Sequence, residues 1–439
     1  MFYEAQKGNL TVAATGDNLI TRRLSAYREP SFLKVFEIIR SCDVRFANFE
    51  MLFHDFKGYP SGESGGTWMQ APPGLLDDLA WAGFNLAGLA NNHTMDYGIG
   101  GLRETIRQVE ARGFAHAGAG EHLDQSRSPA YLDLPGGRVA LLAASTSFVP
   151  SALAGRQRPD IQGRPGVSGL RHQVIYQVPG EAFDLIASLH RDLGLKSPRQ
   201  RRLETGFGPD QEEEGLDFAG LHFAPGDDAR VITRPHSGDL EDICRWIRDA
   251  RRQADWVVFS LHAHEEGQDR HHPPEFISEA CRRFIDEGAD VILGHGPHVL
   301  RGIEIYRERP IFYSLGNFIY QNETVQKLPS GYYEMFGLGL GHTPADAFDA
   351  RTGGGQLGRP ADPAYWESIL PVVRFKGWEL ESVELYPLQL GFGAPRSQRG
   401  RPLLAESQEA EGTLDRVAEY SRPFGTEIAW SRGRGQVSL

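Results

Sequence analysis

Short apolar runs that stop at a polar residue recur along the chain. LTVAATGDNL carries a β-branched run to Gly16-Asp17, and Val44 to Ala47 leads into Asn48-Phe49-Glu50. Phe84 to Ala90 ends at Asn91-Asn92-His93, Trp256 to Leu261 at His262, and Val291 to Leu293 at Gly294-His295. A brief continuous apolar run of this kind predicts a strand buried on both faces. Between the runs, Phe32 to Ile39, Leu75 to Trp81, Leu102 to Val109, Ile243 to Ile247 and Phe276 to Ile285 have the helical period. Strand, polar loop and helix therefore repeat, which predicts an α/β fold. Ligands in such folds sit beyond the carboxyl ends of the strands, so the five polar termini are expected to converge on one site.

The pattern changes in three places. From Ile369 to Leu390 it alternates, and PVVRFKGWELESVELYPLQL predicts two antiparallel strands turning near Lys376-Gly377. Two Gly-, Pro- and charge-rich stretches, 150–237 and 321–366, break the repeat. Loops of that length inside a domain are lids or mobile excursions, and disorder is the competing reading for the acidic run Glu212 to Glu214. The stretch 150–237 is expected to cover the site. The tail 394–439 has no readable pattern, so the domain is drawn as 8–393 with these two excursions.

The net charge of −12 is spread over 439 residues without a basic block, which argues against nucleic acid or an anionic membrane as partner. Cys42, Cys244 and Cys281 stand far apart, excluding a disulfide framework or thiolate zinc site. MFYEAQKGNL lacks the basic start and apolar run of a signal peptide, and no stretch approaches a membrane span; a cytoplasmic location is expected.

The chemistry lies in Asp17, Glu50, Asn92, His93, His262, His264, Glu266, His295 and His298. Imidazole and carboxylate donors without cysteine suit Mn, Zn, Fe, Ca or similar divalent ions, one or two of them. One histidine at a strand end is ordinarily a hydrogen-bonded structural residue, but that reading does not cover five such ends. Among the arginines, Arg22 and Arg23 follow the first loop, and Arg164 and Arg171 flank GRPGVSGL, where a guanidinium fork suits a carboxylate or phosphate. Gly98, Gly100 and Gly101 lack phosphate-fingerprint spacing, and Phe312, Tyr313, Phe318 and Tyr320 read as core.

The runs ATGDNL, ANFEM, LANNHTMDYGIGGLRET, SLHAHEE and LGHGPHVLRGIEIYRERPIFYSLGNF resemble, in order, the signatures of the CapA (poly-γ-glutamate synthesis) family. The resemblance covers Leu10 to Phe318. It implies a calcineurin-like metallophosphatase fold, a four-layer sandwich of two mixed β-sheets flanked by helices, with lid-like insertions. It makes Asp17, Glu50, Asn92, His262, His295 and His298 the metal ligands, with Glu50 bridging, and makes His93 a supporting or acid/base residue oriented by Asp96. Arg164, Arg171 and Glu266 are assigned to substrate. The sequence departs from the family where the usual HWGxE reads His262-Ala263-His264-Glu265-Glu266, losing an aromatic wall and gaining an imidazole.

Such a centre suits several chemistries. Family members are linked to poly-γ-glutamate assembly or hydrolysis, and CapA-like proteins of lasso-peptide pathways resemble peptide epimerases. With no anchor ahead of the first strand, the leading expectation is a metal-dependent epimerase of a ribosomal peptide, with acid/base groups drawn from Asp17, His295, His93 and His264 and with Asp17 and His295 as the favoured pair. A metallohydrolase of amide or γ-glutamyl bonds is the alternative, followed by a phosphoesterase and last a non-enzymatic binding module.

Overall fold

The computed structural model describes residues 7–196, 198–207, 215–431 and 433–439; the run Glu212 to Glu214 lies outside them. All five apolar runs form strands, Asn9–Leu19, Val44–Phe49, Leu86–Gly88, Trp256–His262 and Val291–His295. All five helical segments are helices: Pro30–Arg40, Leu76–Ala82, Gly98–Glu110, Ser237–Gln253 and Glu275–Asp286.

The strands divide between two mixed sheets. In the larger, Asn9–Leu19 pairs parallel with Val44–Phe49, which is followed by Leu86–Gly88 and Ala115–Ala117. On its other edge the amino-terminal half of Asn9–Leu19 pairs antiparallel with Glu367–Lys376, and its end pairs parallel with Asn317–Tyr320, aligning Asp17 with Asn317. The smaller sheet has Gly137–Ser145, Trp256–His262, Val291–His295 and Arg309–Phe312 as parallel neighbours, in a register that sets His262 beside His295.

Strand periodicity explains the packing. Leu10, Val12 and Ala14 share one buried cluster with Val139, Leu141, Trp256, Val258, Val291 and Leu293, so each sheet turns one face to the other. The alternate residue Ala13 meets Phe32, Phe36, Leu79 and Leu102 of the helices outside the larger sheet. Val257 and Phe259 meet Ile243, Ile247, Phe276 and Phe284 outside the smaller one.

The predicted alternating pair is Glu367–Lys376 and Glu379–Gln389, turning at Gly377 with φ 58°. The tail is part of the fold. Helix Ser407–Ser421 buries Leu414 and Val417 in the intersheet cluster, and the hairpin Ile428–Ser431 with Arg434–Val437 extends the larger sheet. Within the first excursion His172–Pro179, Leu216–Phe218, Leu221–Gly226 and Arg230–Pro235 make a separate four-stranded sheet. This sheet rests on helix Glu275–Asp286. His172 stacks on Phe276 at 4.3 Å, and the Phe276 N–H donates to Thr233 Oγ1. A stretch with its own sheet and an apolar seat on a helix has its packing satisfied there.

Candidate metal centre

Two sets of donors converge where the strands end: Asp17, His262 and His295, and Glu50, His264 and His298. Within each set the ligand atoms lie within 4.8 Å of one another. Asp17, near the carboxyl end of strand Asn9–Leu19, is fully buried. Asn48 Nδ2 donates to its Oδ1 at 2.8 Å and the Gly296 N–H to its Oδ2 at 3.0 Å. Burial alone would raise the Asp17 carboxyl, but the hydrogen bond from His298 and the neighbouring imidazoles hold it below the usual carboxylate range. Burial pushes His262 and His264 well below the ordinary histidine value, and His295 down to about 4. The direction that stands is one anionic aspartate among neutral imidazoles.

Neighbouring amides fix the nitrogens. Asn317 Nδ2 donates to the carbonyls of His298 and Tyr365, so its Oδ1, 2.8 Å from His298 Nδ1, must accept. The His298 proton is therefore on Nδ1, and its Nε2 lone pair faces Glu50 Oε1 at 3.5 Å. His298 also holds φ at 62°, a backbone state rare for a side chain of its size. Asn92 Nδ2 donates to Gly65 O, which turns Asn92 Oδ1 onto His262 Nε2 at 2.9 Å. His295 Nε2 is 2.7 Å from Ser260 Oγ, leaving Nδ1 toward His262 and Asp17.

Both Glu50 oxygens are buried without a hydrogen-bond partner. Four imidazoles approach them, His298, His262, His93 and His264 at 3.5, 3.8, 3.9 and 4.0 Å, none close enough to donate. Burial first, and then the Asp17 charge, raise the Glu50 carboxyl well above its usual value. A buried carboxylate that receives no hydrogen bond is unfavourable unless a cation lies against it, so the residues present fit a divalent ion.

His93 stands beside this cluster. Its Nδ1 is 2.7 Å from Asp96 Oδ2, which also accepts the Met69 N–H, so Nδ1 carries the proton and Nε2 is an acceptor, with Asn92 Nδ2 3.3 Å away. The side chain of His264 is 26% exposed, whereas Asp17, Glu50, His262 and His295 are fully buried. The open side is at His264.

The residues assigned to substrate make other contacts. Arg171 forks onto Asp239 at 2.7 and 2.9 Å, in a network that joins Arg127, Asp239 and Asp242. Arg164 donates to Leu153 O, and Glu266 is exposed. Arg22 reaches Arg396 O, while Arg23 pairs with Asp78. Gly98 opens helix Gly98–Glu110, and Phe312, Tyr313, Phe318 and Tyr320 are buried. Sequence reasoning left Asn48, Ser260, Asn317 and Arg359 without roles. Asn48, Ser260 and Asn317 carried a signal, since all three lie in the CapA-like motifs at strand positions; Arg359 carried none.

Two mixed sheets whose strand ends gather buried carboxylates and imidazoles define a metallophosphatase-like protein. The chain belongs to the family described as Bacterial capsule synthesis protein PGA_cap, whose model matches residues 11–322. A relative from Sinorhizobium fredii (strain NBRC 101917 / NGR234), "Uncharacterized protein y4sH", is 36% identical over 441 residues, covering 98% of this chain and 93% of its own. "Capsule biosynthesis protein CapA" of Bacillus anthracis is 25% identical, covering 71% of this chain and 60% of its own. "PGA biosynthesis protein CapA" of Bacillus subtilis (strain 168) is 24% identical, covering 78% and 72%. Membership suggests metal-dependent chemistry with divalent ions. No helix among the described residues is long and apolar enough to cross a membrane.

Proposed function

We propose that this protein is a divalent-metal-dependent hydrolase of amide bonds in γ-glutamyl peptides, built on the four-layer metallophosphatase sandwich. The observation that carries the reading is Glu50, buried and without a hydrogen-bond partner in one of two adjoining three-residue donor sets. Asp17, Glu50, Asn92, His262, His264, His295 and His298 would hold one or two ions. A divalent ion in this position supplies Lewis acidity toward a carbonyl and makes water nucleophilic near neutral pH. The chain does the rest. Asn48 and Gly296 keep Asp17 anionic and aimed. Asp96 holds His93 with Nε2 toward the cluster, where it would take up the proton that the attacking water loses and pass it to the departing amine. Substrate enters past His264.

The epimerase reading has less support. It needs two proton-transfer groups on opposite faces of Cα, yet its favoured pair, Asp17 and His295, falls within one donor set. The named relatives are capsule and PGA biosynthesis proteins, which supports the γ-glutamyl alternative. The test is incubation of metal-loaded protein with a γ-linked oligoglutamate in deuterated water. Hydrolysis is expected to release new amino groups without deuterium at Cα. Deuterium at Cα in an unshortened chain would make it an epimerase, and turnover of p-nitrophenyl phosphate alone a phosphoesterase.

A further inference from the structure

The excursion 321–366 brings one guanidinium to the edge of the metal-ligating cluster. Arg359 begins the short 3-10 turn Arg359–Ala361, entered from Gly358 at φ 66°, a conformation that costs glycine little. Its side chain lines a cavity of about 140 Å³ together with Tyr320, Asn322, Glu323, Phe348 and Arg351. The guanidinium lies 5.5 Å from the centre of the Tyr365 ring. Arg270, on the same ring, is already paired with Asp362. Arg359 has no such pairing among the described residues, and Arg351 spends its hydrogen bonds on the hydroxyls of Thr67 and Tyr332. Glu323 is the acid among the lining residues: its Oε2 pairs with Arg399, while its Oε1, 3.5 Å from Arg396, is buried without a hydrogen bond.

Two further polar atoms on this wall lack partners. Tyr320 is 3% exposed and its hydroxyl makes no hydrogen bond; its ring lies 5.7 Å from that of His298. Asn322 Oδ1 is also buried without a partner. The cavity thus offers cationic and hydroxyl donors beside the metal-ligating histidines, and among the described residues Arg359 makes no ion pair with the one carboxylate that lines it. An enclosed guanidinium without an anion is costly, and a carboxylate from a ligand matches its fork.

We infer that this cavity seats a carboxylate of the substrate, held by Arg359 with the Tyr320 hydroxyl, and selects acidic γ-linked peptides over neutral ones. The inference rests on the hydrolase reading for which bond is cut, but not for what is bound. The net charge of −12 repels a polyanion at long range, so recognition of one needs a local cationic pocket.

The test is equilibrium binding of metal-loaded protein to two probes, a short γ-linked oligoglutamate and its carboxamide counterpart, by calorimetry. Wild type is expected to prefer the acid. Arg359→Ala should weaken acid binding by about tenfold or more, the scale of a charge-assisted hydrogen bond, while amide binding and metal content stay unchanged. Arg359→Lys should restore part of the loss, and Tyr320→Phe should show a smaller one. Equal affinity for both probes in wild type, no binding of the acid, or equal weakening of both probes by Arg359→Ala would overturn the proposal. Arg359-dependent acid binding without hydrolysis would leave it standing and remove the hydrolase reading instead.

Discussion

Asn317 and Asn92 do not act on substrate themselves, yet each decides which nitrogen of a neighbouring histidine is free. Asn317 puts the His298 proton on Nδ1, and Asp96 does the same for His93. That makes Asp96 a positioning residue with a measurable effect. Asp96→Asn keeps the shape but can present an amide N–H to Nδ1, favouring the opposite tautomer. Turnover of the oligoglutamate should fall by about 10²- to 10³-fold with metal content unchanged. Loss of metal in the same proportion, read by elemental analysis, would move His93 into the ligand set. The pairing of His93 with Asp96 was legible in NNHTMD because both residues share one loop. The Asn317–His298 pairing was not, because it depends on two chain segments meeting. Arg171 shows the converse: its place in GRPGVSGLR suggested an anion partner, and in the fold that partner is Asp239.

At the scale of elements, the sequence showed the strands and helices whose burial is one-dimensional. Each apolar run became a strand because its own residues specify burial on both faces. The excursions and tail were less readable, since their order comes from long-range contacts such as His172 on Phe276 and Leu414 in the intersheet cluster. The crossing of two loops at the site is similarly hidden. Asp17 N–H donates to Gly316 O at 3.1 Å, and the chain approaches so closely at Gly16 that a Cβ there would lie 1.8 Å from that oxygen. Gly16→Ala must push the strand ending at Asp17 away from Asn317. It should cost about 3 kcal/mol or more and reduce bound metal, whereas Gly62→Ala, with open space around it, should stay within about 0.5 kcal/mol. Urea unfolding midpoints of both variants check this; equal midpoints would mean that the crossing tolerates a methyl group.

For the whole molecule, two sheets packed face to face bring together strand ends from residues 17 to 298, so the centre exists only when both sheets are in place. The larger sheet delivers Asp17 and leads into Glu50; the smaller delivers His262 and His295. Convergence was foreseeable from the repeated grammar of run and polar stop, but the division into two donor sets, Glu50 within one of them, was not. The central claim is that these sets hold divalent metal through Glu50. Elemental analysis of purified wild type, Glu50→Gln and Asp17→Asn, after equilibration with Mn, Zn, Fe or Ca and removal of loose ions, tests it most directly. Wild type should retain one or two divalent ions per chain, Glu50→Gln should retain fewer with its folded circular dichroism preserved, and Asp17→Asn should also fall. Wild type without specific metal, or folded variants that retain as much as wild type, would contradict the account.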